Sequence, residues 1–172
     1  MKNYPMSDDE RAIVDQVARF SQEVLAPKAA ELDEQARFAI CHLPDMAALG
    51  LLGMNLPEDR GGLGLSGPAL YAAVEALAGA CGSTASMLTA HFLATDSLLL
   101  GADEAVQVRF LPDAAEGKTL GAFALTEPQA GSNPADMRTT AKREGDGYRI
   151  KGAKCFISNA GAADFIVVYA KT

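Results

Sequence analysis

The sequence predicts an α+β fold, in which helices come first and strands follow. Apolar residues recur at helical spacing in the first part of the chain, as at Ile13, Val17 and Val24. After Lys118 the apolar period changes to two, and the segments become short and are separated by turn residues such as Gly145-Asp146-Gly147. This single change of period divides the chain into a helical part and a strand-rich part.

Each predicted helix begins or ends at a residue whose chemistry favours that position. Ser7 and Glu10 form a capping box at the start of the first helix, which runs through Leu25. Proline opens and glycine closes later helices, because proline lacks the N–H that a first turn leaves unpaired and glycine tolerates the end of a helix. The remaining helices run from Pro44 to Gly50, from Pro68 through Leu77, around Met87 to about Gly101, and from Asp103 to about Ala115.

The strands predicted after Lys118 lead to the first candidate site. They run from Leu120 to Thr126, Thr139 to Arg143, Tyr148 to Ile150, Ala153 to Ser158 and Phe165 to Tyr169. The first strand ends at Pro128 and Gly131, which force the chain out of the strand and leave the hydroxyls of Thr126 and Ser132 free to meet a ligand. A purely structural polar turn is the alternative interpretation of this loop.

A second segment with the same features follows about two dozen residues later. Residues 125–132 read Leu-Thr-Glu-Pro-Gln-Ala-Gly-Ser, and residues 152–160 read Gly-Ala-Lys-Cys-Phe-Ile-Ser-Asn-Ala. Together they closely resemble the acyl-CoA dehydrogenase family of flavoproteins. Residues 56–64, Leu-Pro-Glu-Asp-Arg-Gly-Gly-Leu-Gly, and residues 81–84, Cys-Gly-Ser-Thr, fit the same family in the same order. The resemblance therefore spans almost the whole chain.

The resemblance implies a domain organisation. Residues 1–118 would form the N-terminal helical domain, and residues 119–172 would begin an antiparallel, β-barrel-like middle domain. In the family a second helical domain follows. The sequence ends at Lys171-Thr172 without a turn or terminal helix, so we interpret the middle domain as incomplete and the chain as the N-terminal portion of a longer protein.

The resemblance also implies chemistry. The family uses FAD to oxidise an acyl-CoA thioester to the trans-2-enoyl-CoA, by loss of the α-proton and transfer of the β-hydrogen as hydride to flavin N5. The residues matched to FAD contacts are Phe123, Ala124, Leu125, Thr126, Gly131, Ser132, Phe156, Ile157 and Ser158. Ser132 would also border the bound CoA. An electron-transfer flavoprotein would accept the electrons, and the complete protein would be a homotetramer.

This sequence departs from the family pattern at three site positions. Many members carry an acid in place of Asn133, and many carry tryptophan and threonine in place of Phe156 and Ser158. Phenylalanine and serine keep an aromatic ring and a hydroxyl. Asn133 cannot form the same ion pair, although its side chain can still cap the following turn.

No residue of this sequence matches the catalytic base, which is a glutamate of the second helical domain in the family. Glu127 belongs to the loop that shapes the site, so we assign no catalytic residue. The sequences at 81–84 and 156–158 favour the short-chain and branched-chain members. The alternatives are a non-catalytic remnant or binding module of the same fold, and an acyl-CoA oxidase.

Composition excludes several other classes. A net charge of -7 argues against nucleic acid as a partner, because phosphate binding needs a clustered positive face. No apolar run is long enough to span a membrane, and Met1 to Glu10 resembles neither a secretory signal nor a transit peptide. Three scattered cysteines lack the spacing of a metal site and indicate a reduced, cytoplasmic compartment.

Four further features are interpreted as structural. Gly62 to Gly67 matches Gly-x-Gly-x-x-Gly but does not follow a buried strand, so we expect no nucleotide there. Ser66 is predicted to cap the helix opened by Pro68. His91 is predicted to be a core or pocket-wall residue, and His42 a solvated loop residue.

Overall fold

The computed structural model describes residues 5–172, and residues 1–4 of the N-terminal stretch discussed above lie outside the described residues. The helices are α1 (Asp8–Phe20), α2 (Ala26–Glu34), α3 (Leu43–Ala48), α4 (Gly67–Ala80), α5 (Gly82–Gly101) and α6 (Glu104–Ala115). The strands are β1 (Gly121–Ala124), β2 (Thr140–Glu144), β3 (Gly147–Lys151) and β4 (Phe165–Val168). The order of elements confirms the predicted change from helices to strands near Lys118.

The first helix begins where the sequence predicted. The Ser7 hydroxyl accepts from the Glu10 N–H at 3.1 Å, and the Glu10 carboxylate accepts from the Ser7 N–H at 2.9 Å, which completes the capping box. The helix does not stop at Leu25, because a π-helical turn at Ser21–Leu25 carries it into α2. Pro27 cannot donate to the preceding turn, and the wider π turn before it accommodates the missing bond.

The start of α4 differs in one detail from its prediction. Ser66 occupies the N-cap position, but its side chain makes no capping bond. Its N–H instead donates to the Glu10 carboxylate at 2.8 Å. Hydrogen bonds from Ser66, followed by the bond from the Ser7 backbone, lower the pKa of Glu10 to about 2. The same carboxylate therefore caps α1 and ties α1 to α4.

The core lies among the helices. The largest buried cluster draws on α1, α3, α4, α5 and the turns between them, and Leu120 is its member after Lys118. Helix α5 passes through the middle of this core and buries Leu88, Phe92 and Ala94 among others. Burying a leucine or phenylalanine side chain contributes about 1.5–3 kcal/mol, so the helical part supplies most of the hydrophobic stabilisation.

His42 is buried, so the prediction that it is a solvated loop residue is wrong. Residues Ala39–His42 form a 3-10 turn, and the His42 Nδ1 atom lies 2.8 Å from the Thr84 hydroxyl near the start of α5. Burial and the nearby Lys28 charge lower the pKa of His42. Its distant partner on α5, rather than its neighbours in sequence, determines its environment.

The strands form two separate pairs. β1 and β4 pair in parallel, with Gly121 opposite Phe165, whereas β2 and β3 form the antiparallel hairpin with its turn at Gly145 and Asp146. Among the described strands, the antiparallel arrangement expected for the middle domain thus holds for β2 and β3 but not for β1 and β4. The described residues contain no helix long and apolar enough to cross a membrane.

The strand predicted from Ala153 to Ser158 is absent, so that prediction is wrong. The segment has the aromatic and β-branched residues of a strand, but Phe156 has a φ of 55°, in the left-handed region that extended strands exclude. These residues form an irregular loop, which crosses the end of β1.

Candidate functional site

The two motif segments meet at the end of β1. The Cys155 N–H donates to the Thr126 carbonyl at 3.1 Å, and the Lys154 ammonium donates to the Leu125 carbonyl at 2.9 Å. These contacts join residues that lie 29 positions apart in the chain. They bring Phe123 to Thr126 and Phe156 to Ser158, all predicted site residues, to one edge of the molecule.

The side chain of Glu127 lies inside this contact between the two motif segments, which we call the junction. Its buried carboxylate accepts from Lys154 Nζ at 2.8 Å, from the Thr139 N–H at 3.0 Å and from the Arg138 N–H at 2.6 Å. The Gln129 side-chain amide donates to it as well, at 2.6 Å. Burial alone would raise the pKa of Glu127, but the hydrogen bonds from Lys154, Thr139 and Arg138 outweigh it and hold the pKa well below its ordinary value.

A carboxylate in this state is a poor proton acceptor. Each of its oxygens already accepts hydrogen bonds, and its lowered pKa makes it a weaker base. Its geometry supports the interpretation that Glu127 shapes the loop. Gly152 lies in the same junction, where an added Cβ would stand 2.2 Å from the Thr139 hydroxyl oxygen, so only glycine fits.

Phe156 projects from the junction into solvent. The residue is 92% exposed, and its backbone has a φ of 55°. A left-handed conformation costs a residue with a Cβ about 1–2 kcal/mol, so it persists only where neighbouring contacts fix it. The Cys155 bond to Thr126 fixes the loop immediately before it. The arrangement presents a flat apolar face beside the end of β1.

The loop that follows Thr126 is open and polar. Gly131 and Ser132 are both exposed, and an added Cβ at Gly131 would meet no atom within 4 Å. The Asn133 side-chain oxygen accepts from the Ala135 N–H at 3.3 Å, which confirms that Asn133 caps the turn after it. Its amide also donates to the Asp136 carboxylate at 3.0 Å, so asparagine keeps this loop ordered without an ion pair.

An open groove of about 850 Å³ lies on one side of the loop at residues 156–159, which we call the Phe156 loop. One wall is the start of α5, with Ser83, Ser86 and Met87, and the opposite wall is the loop from Ile157 onward. The full lining is Phe38, Ile40, Gly82, Ser83, Ser86, Met87, Ile157, Ser158, Asn159, Ala160, Gly161 and Ala162. Two predicted site residues, Ile157 and Ser158, therefore line this groove.

Two buried side chains connect this region to α5. The Gly121 N–H donates to His91 Nδ1 at 2.9 Å, and the Asn159 amide donates to the carbonyls of Met87 and Gly121 at 2.9 and 3.0 Å. His91 is fully buried, which confirms its prediction as a core residue. Asn159 was not assigned a role from the sequence. Its hydrogen-bond partners lie 72 and 38 positions away, which local sequence does not reveal.

The electrostatics of His91 follow from its burial. Burial lowers the pKa of His91 to about 4, against smaller opposing contributions from the carbonyls of Ala114 and Leu52. Nε2 makes no well-formed hydrogen bond to either carbonyl. Because the neutral ring accepts from the Gly121 N–H through Nδ1, its proton resides on Nε2.

The described residues bring together no cluster of three or more His, Cys, Asp or Glu side chains that could hold a metal ion. The loop from Gly62 to Gly67 follows a 3-10 turn at Glu58–Arg60 and leads into α4. Among residues 5–172 the first strand, β1, begins only at Gly121, so no strand precedes this loop there.

Comparison with known families assigns both parts of the chain. Residues 7–118 match the acyl-CoA dehydrogenase N-terminal domain, and residues 122–172 match the acyl-CoA dehydrogenase middle domain. The two matches cover nearly all of the chain, and they meet close to the change from helices to strands.

Individual relatives agree with this assignment. The chain is 35% identical over 172 residues to a short-chain specific acyl-CoA dehydrogenase of Clostridium acetobutylicum, covering 99% of this chain and 45% of the relative. It is 39% identical over 171 residues to benzylmalonyl-CoA dehydrogenase of Aromatoleum aromaticum, covering 98% and 45%. A glutaryl-CoA dehydrogenase from Mycobacterium smegmatis, solved in complex with FADH2, superposes with a TM-score of 0.89 at 32% identity, covering 96% and 43%. The chain thus spans less than half the length of these relatives.

Proposed function

Because this chain belongs to the acyl-CoA dehydrogenase family, we propose that it binds FAD at the end of β1 and contributes to the oxidation of an acyl-CoA thioester to the trans-2-enoyl-CoA. The observation that carries this proposal is the junction of the two motif segments, where Cys155 and Lys154 bond to the carbonyls of Thr126 and Leu125. FAD, when bound, supplies the two-electron oxidant, and the chain supplies position and electrostatics.

The residues at the junction suit a large planar ligand that carries phosphates. Phe156 offers an exposed ring for stacking, and Thr126 and Ser158 offer hydroxyls near the same edge. The backbone from Phe123 to Leu125, with Ala124 between them, and the backbone of Ile157 would contact the flavin ring. Gly131 leaves its backbone open to close approach, and Ser132 adds a hydroxyl, which together fit a pyrophosphate and the edge of a bound CoA.

The groove between α5 and the Phe156 loop is the proposed place of the acyl group. Its walls combine apolar side chains such as Met87 and Ile157 with the hydroxyls of Ser83 and Ser86. Similarity at residues 81–84 favours short or branched acyl groups. The two named relatives act on different acyl groups, so the choice within this class is a matter for substrate titration.

Further proposals concern the complete enzyme. We infer a helical domain at residues 1–118 and a middle domain from residue 119, an electron-transfer flavoprotein as electron acceptor, and a homotetrameric assembly. We assign no catalytic base to this chain, since the carboxylate nearest the junction, Glu127, is already occupied by hydrogen-bond donors.

The test is FAD binding by the purified chain. Binding is measured at equilibrium by the quenching of flavin fluorescence. Thr126→Val and Ser132→Ala each remove a hydroxyl partner from the ligand, so each should raise the Kd for FAD about tenfold, equivalent to about 1.4 kcal/mol. Thr89→Val is the matched control, because the Thr89 hydroxyl donates to the Ser86 carbonyl on its own helix at 3.2 Å. Unchanged FAD affinity in both site variants would contradict the proposal.

A further inference from the structure

Asn159 occupies an unusual position at the back of the Phe156 loop. It is buried, and it has a φ of 68°, in the left-handed region. Asparagine and glycine enter this region most readily. Phe156 also has a left-handed φ, so two left-handed residues enclose Ile157 and Ser158. A loop with this geometry needs fixed contacts at both of its ends.

The structure shows those contacts. Before the loop, the Cys155 N–H bonds to the Thr126 carbonyl at 3.1 Å. After the loop, the Asn159 amide nitrogen donates to Met87 O at 2.9 Å and to Gly121 O at 3.0 Å. Two carbonyl acceptors require an NH2 group, which establishes the orientation of the amide. One side chain thus joins the loop to the groove wall on α5 and to the start of β1.

The start of β1 lies unusually close to α5. An added Cβ at Gly121 would stand 2.9 Å from the Ala94 Cβ and 2.6 Å from the Phe165 ring. Its N–H is already taken by His91 and its carbonyl by Asn159. The attachment point of the loop is therefore rigid, and a shift of Asn159 would move the loop relative to both α5 and β1.

We propose that Asn159 is a positioning residue, which sets the placement of Phe156 to Ser158 against the end of β1 and at the same time sets the width of the groove against Met87. This inference rests on the proposed function for its consequence in FAD binding. The predicted effect on the order of the loop does not depend on the proposed function. Both donors of the Asn159 amide are taken by backbone carbonyls of the chain, so we infer that Asn159 acts through the loop.

The test uses three variants of Asn159 and one matched control. Asn159→Gly keeps the left-handed backbone and removes the amide, Asn159→Asp keeps the shape and removes the two donors, and Asn159→Ala removes both features. The control is Asn55→Ala, because the Asn55 amide also donates two hydrogen bonds, to Thr95 and Asp96 at 3.0 and 2.7 Å, but lies in the helical half.

The first measurement needs no ligand. Amide hydrogen exchange is measured by NMR. The exchange rate of the Cys155 amide should rise at least tenfold when Asn159 is replaced by Gly, Asp or Ala. The Cys155 amide reports the bond to Thr126 at the other end of the loop. The control should leave this rate unchanged. Unchanged exchange at Cys155 in Asn159→Gly and Asn159→Asp would overturn the proposal, since the amide would then be dispensable for loop order.

The second measurement is the Kd for FAD together with the visible spectrum of the bound flavin. The Gly and Asp variants should raise the Kd about tenfold and alter the spectrum, while Asn55→Ala, although less stable, should change neither. Equal changes in the control would reduce Asn159 to a general stabiliser and refute the positioning role. If the unmodified chain binds no FAD, the proposed function fails, and the exchange rate at Cys155 alone decides whether Asn159 positions the loop.

Discussion

Most of the buried apolar side chains lie within residues 8–115, whereas the strands after Lys118 leave several of theirs exposed. The helical half supplies nearly the whole buried cluster, including Leu77 and Leu88. In the strand half every residue of β3 is exposed, with Tyr148 and Ile150 on the surface of the hairpin. The two halves therefore depend on different interactions.

The strand half depends on a few polar groups. Glu127 gathers donors from Lys154, Arg138 and Thr139, and Gly121 is tied to α5 by His91 and Asn159. A buried polar contact fixes geometry more narrowly than an apolar one, because its donors and acceptors need particular distances and angles. Apolar burial thus stabilises the helical half. Hydrogen bonds set the order of the edge that it carries.

The largest expected effect comes from truncating the helical core. Leu88→Ala should lower the free energy of unfolding by about 3 kcal/mol, because it removes a fully buried side chain of α5 and leaves a cavity. Ile150→Ala in the exposed hairpin should change it by less than about 0.5 kcal/mol. Urea unfolding followed by circular dichroism measures both values. Equal losses in the two variants would contradict the division into halves.

The second prediction concerns pH. Since burial lowers the pKa of His91 from 6.5 to about 4, the unfolded chain binds this proton more readily than the folded chain. The contribution of His91 to the free energy of unfolding is therefore full above about pH 6.5. It falls as the pH drops toward 4, by about 2 kcal/mol between pH 7 and pH 4.5. His42 acts in the same direction, and Asp96, whose pKa is raised by burial, acts in the opposite direction.

His91→Asn isolates this contribution. Asparagine offers an oxygen to the Gly121 N–H where Nδ1 now accepts, but it does not titrate. Urea unfolding at pH 7 and pH 4.5 should show a smaller loss on acidification in the variant than in the unmodified chain. An equal loss would mean that His91 contributes nothing to the pH dependence. Thr89→Val, which retains both histidines and removes one hydrogen bond to a backbone carbonyl, serves as a control.

The third prediction concerns a variant that perturbs the junction and leaves the helical core unchanged. Glu127→Gln removes the negative charge that Lys154 faces at 2.8 Å and should lower Tm by about 5 °C, with the largest loss of amide protection at Arg138 and Thr139. Glu144→Gln is the matched control, because the Glu144–Arg149 pair is exposed and contributes little. Protection that stays unchanged at Arg138 and Thr139 would contradict the role given to Glu127.

These contacts also show which parts of the structure the sequence predicted. The capping box of Ser7 and Glu10 involves residues three apart, so local sequence reveals it. The motif at 125–132 and the motif at 152–160 were expected to act together, and the Thr126–Cys155 bond joins them. That these residues hold FAD stays a prediction.

The errors have a common physical cause. The strand predicted at 153–158 has a strand-like composition, but the left-handed φ of Phe156 is imposed by contacts before and after it. The neighbouring Pro44 indicates a loop at His42, but the ring is buried and lies in hydrogen-bond contact with Thr84, 42 positions away. Both environments are set by long-range packing, which patterns of neighbouring residues do not contain.

The smallest expected effect compares one glycine in each half. Gly64 has a φ of 57° and Gly145 a φ of 59°, and an added Cβ would meet no atom closer than 3.8 Å at Gly64 and none within 4 Å at Gly145. Each alanine variant should therefore cost about 1 kcal/mol, the penalty of a left-handed alanine, whichever half it lies in. Both should bind FAD as the unmodified chain does, because the loop at Gly62 to Gly67 lacks the strand that a nucleotide site of this pattern requires. Urea unfolding and FAD titration measure the two properties separately, and selective loss of FAD affinity in a folded Gly64→Ala variant would show that this loop is a nucleotide site after all.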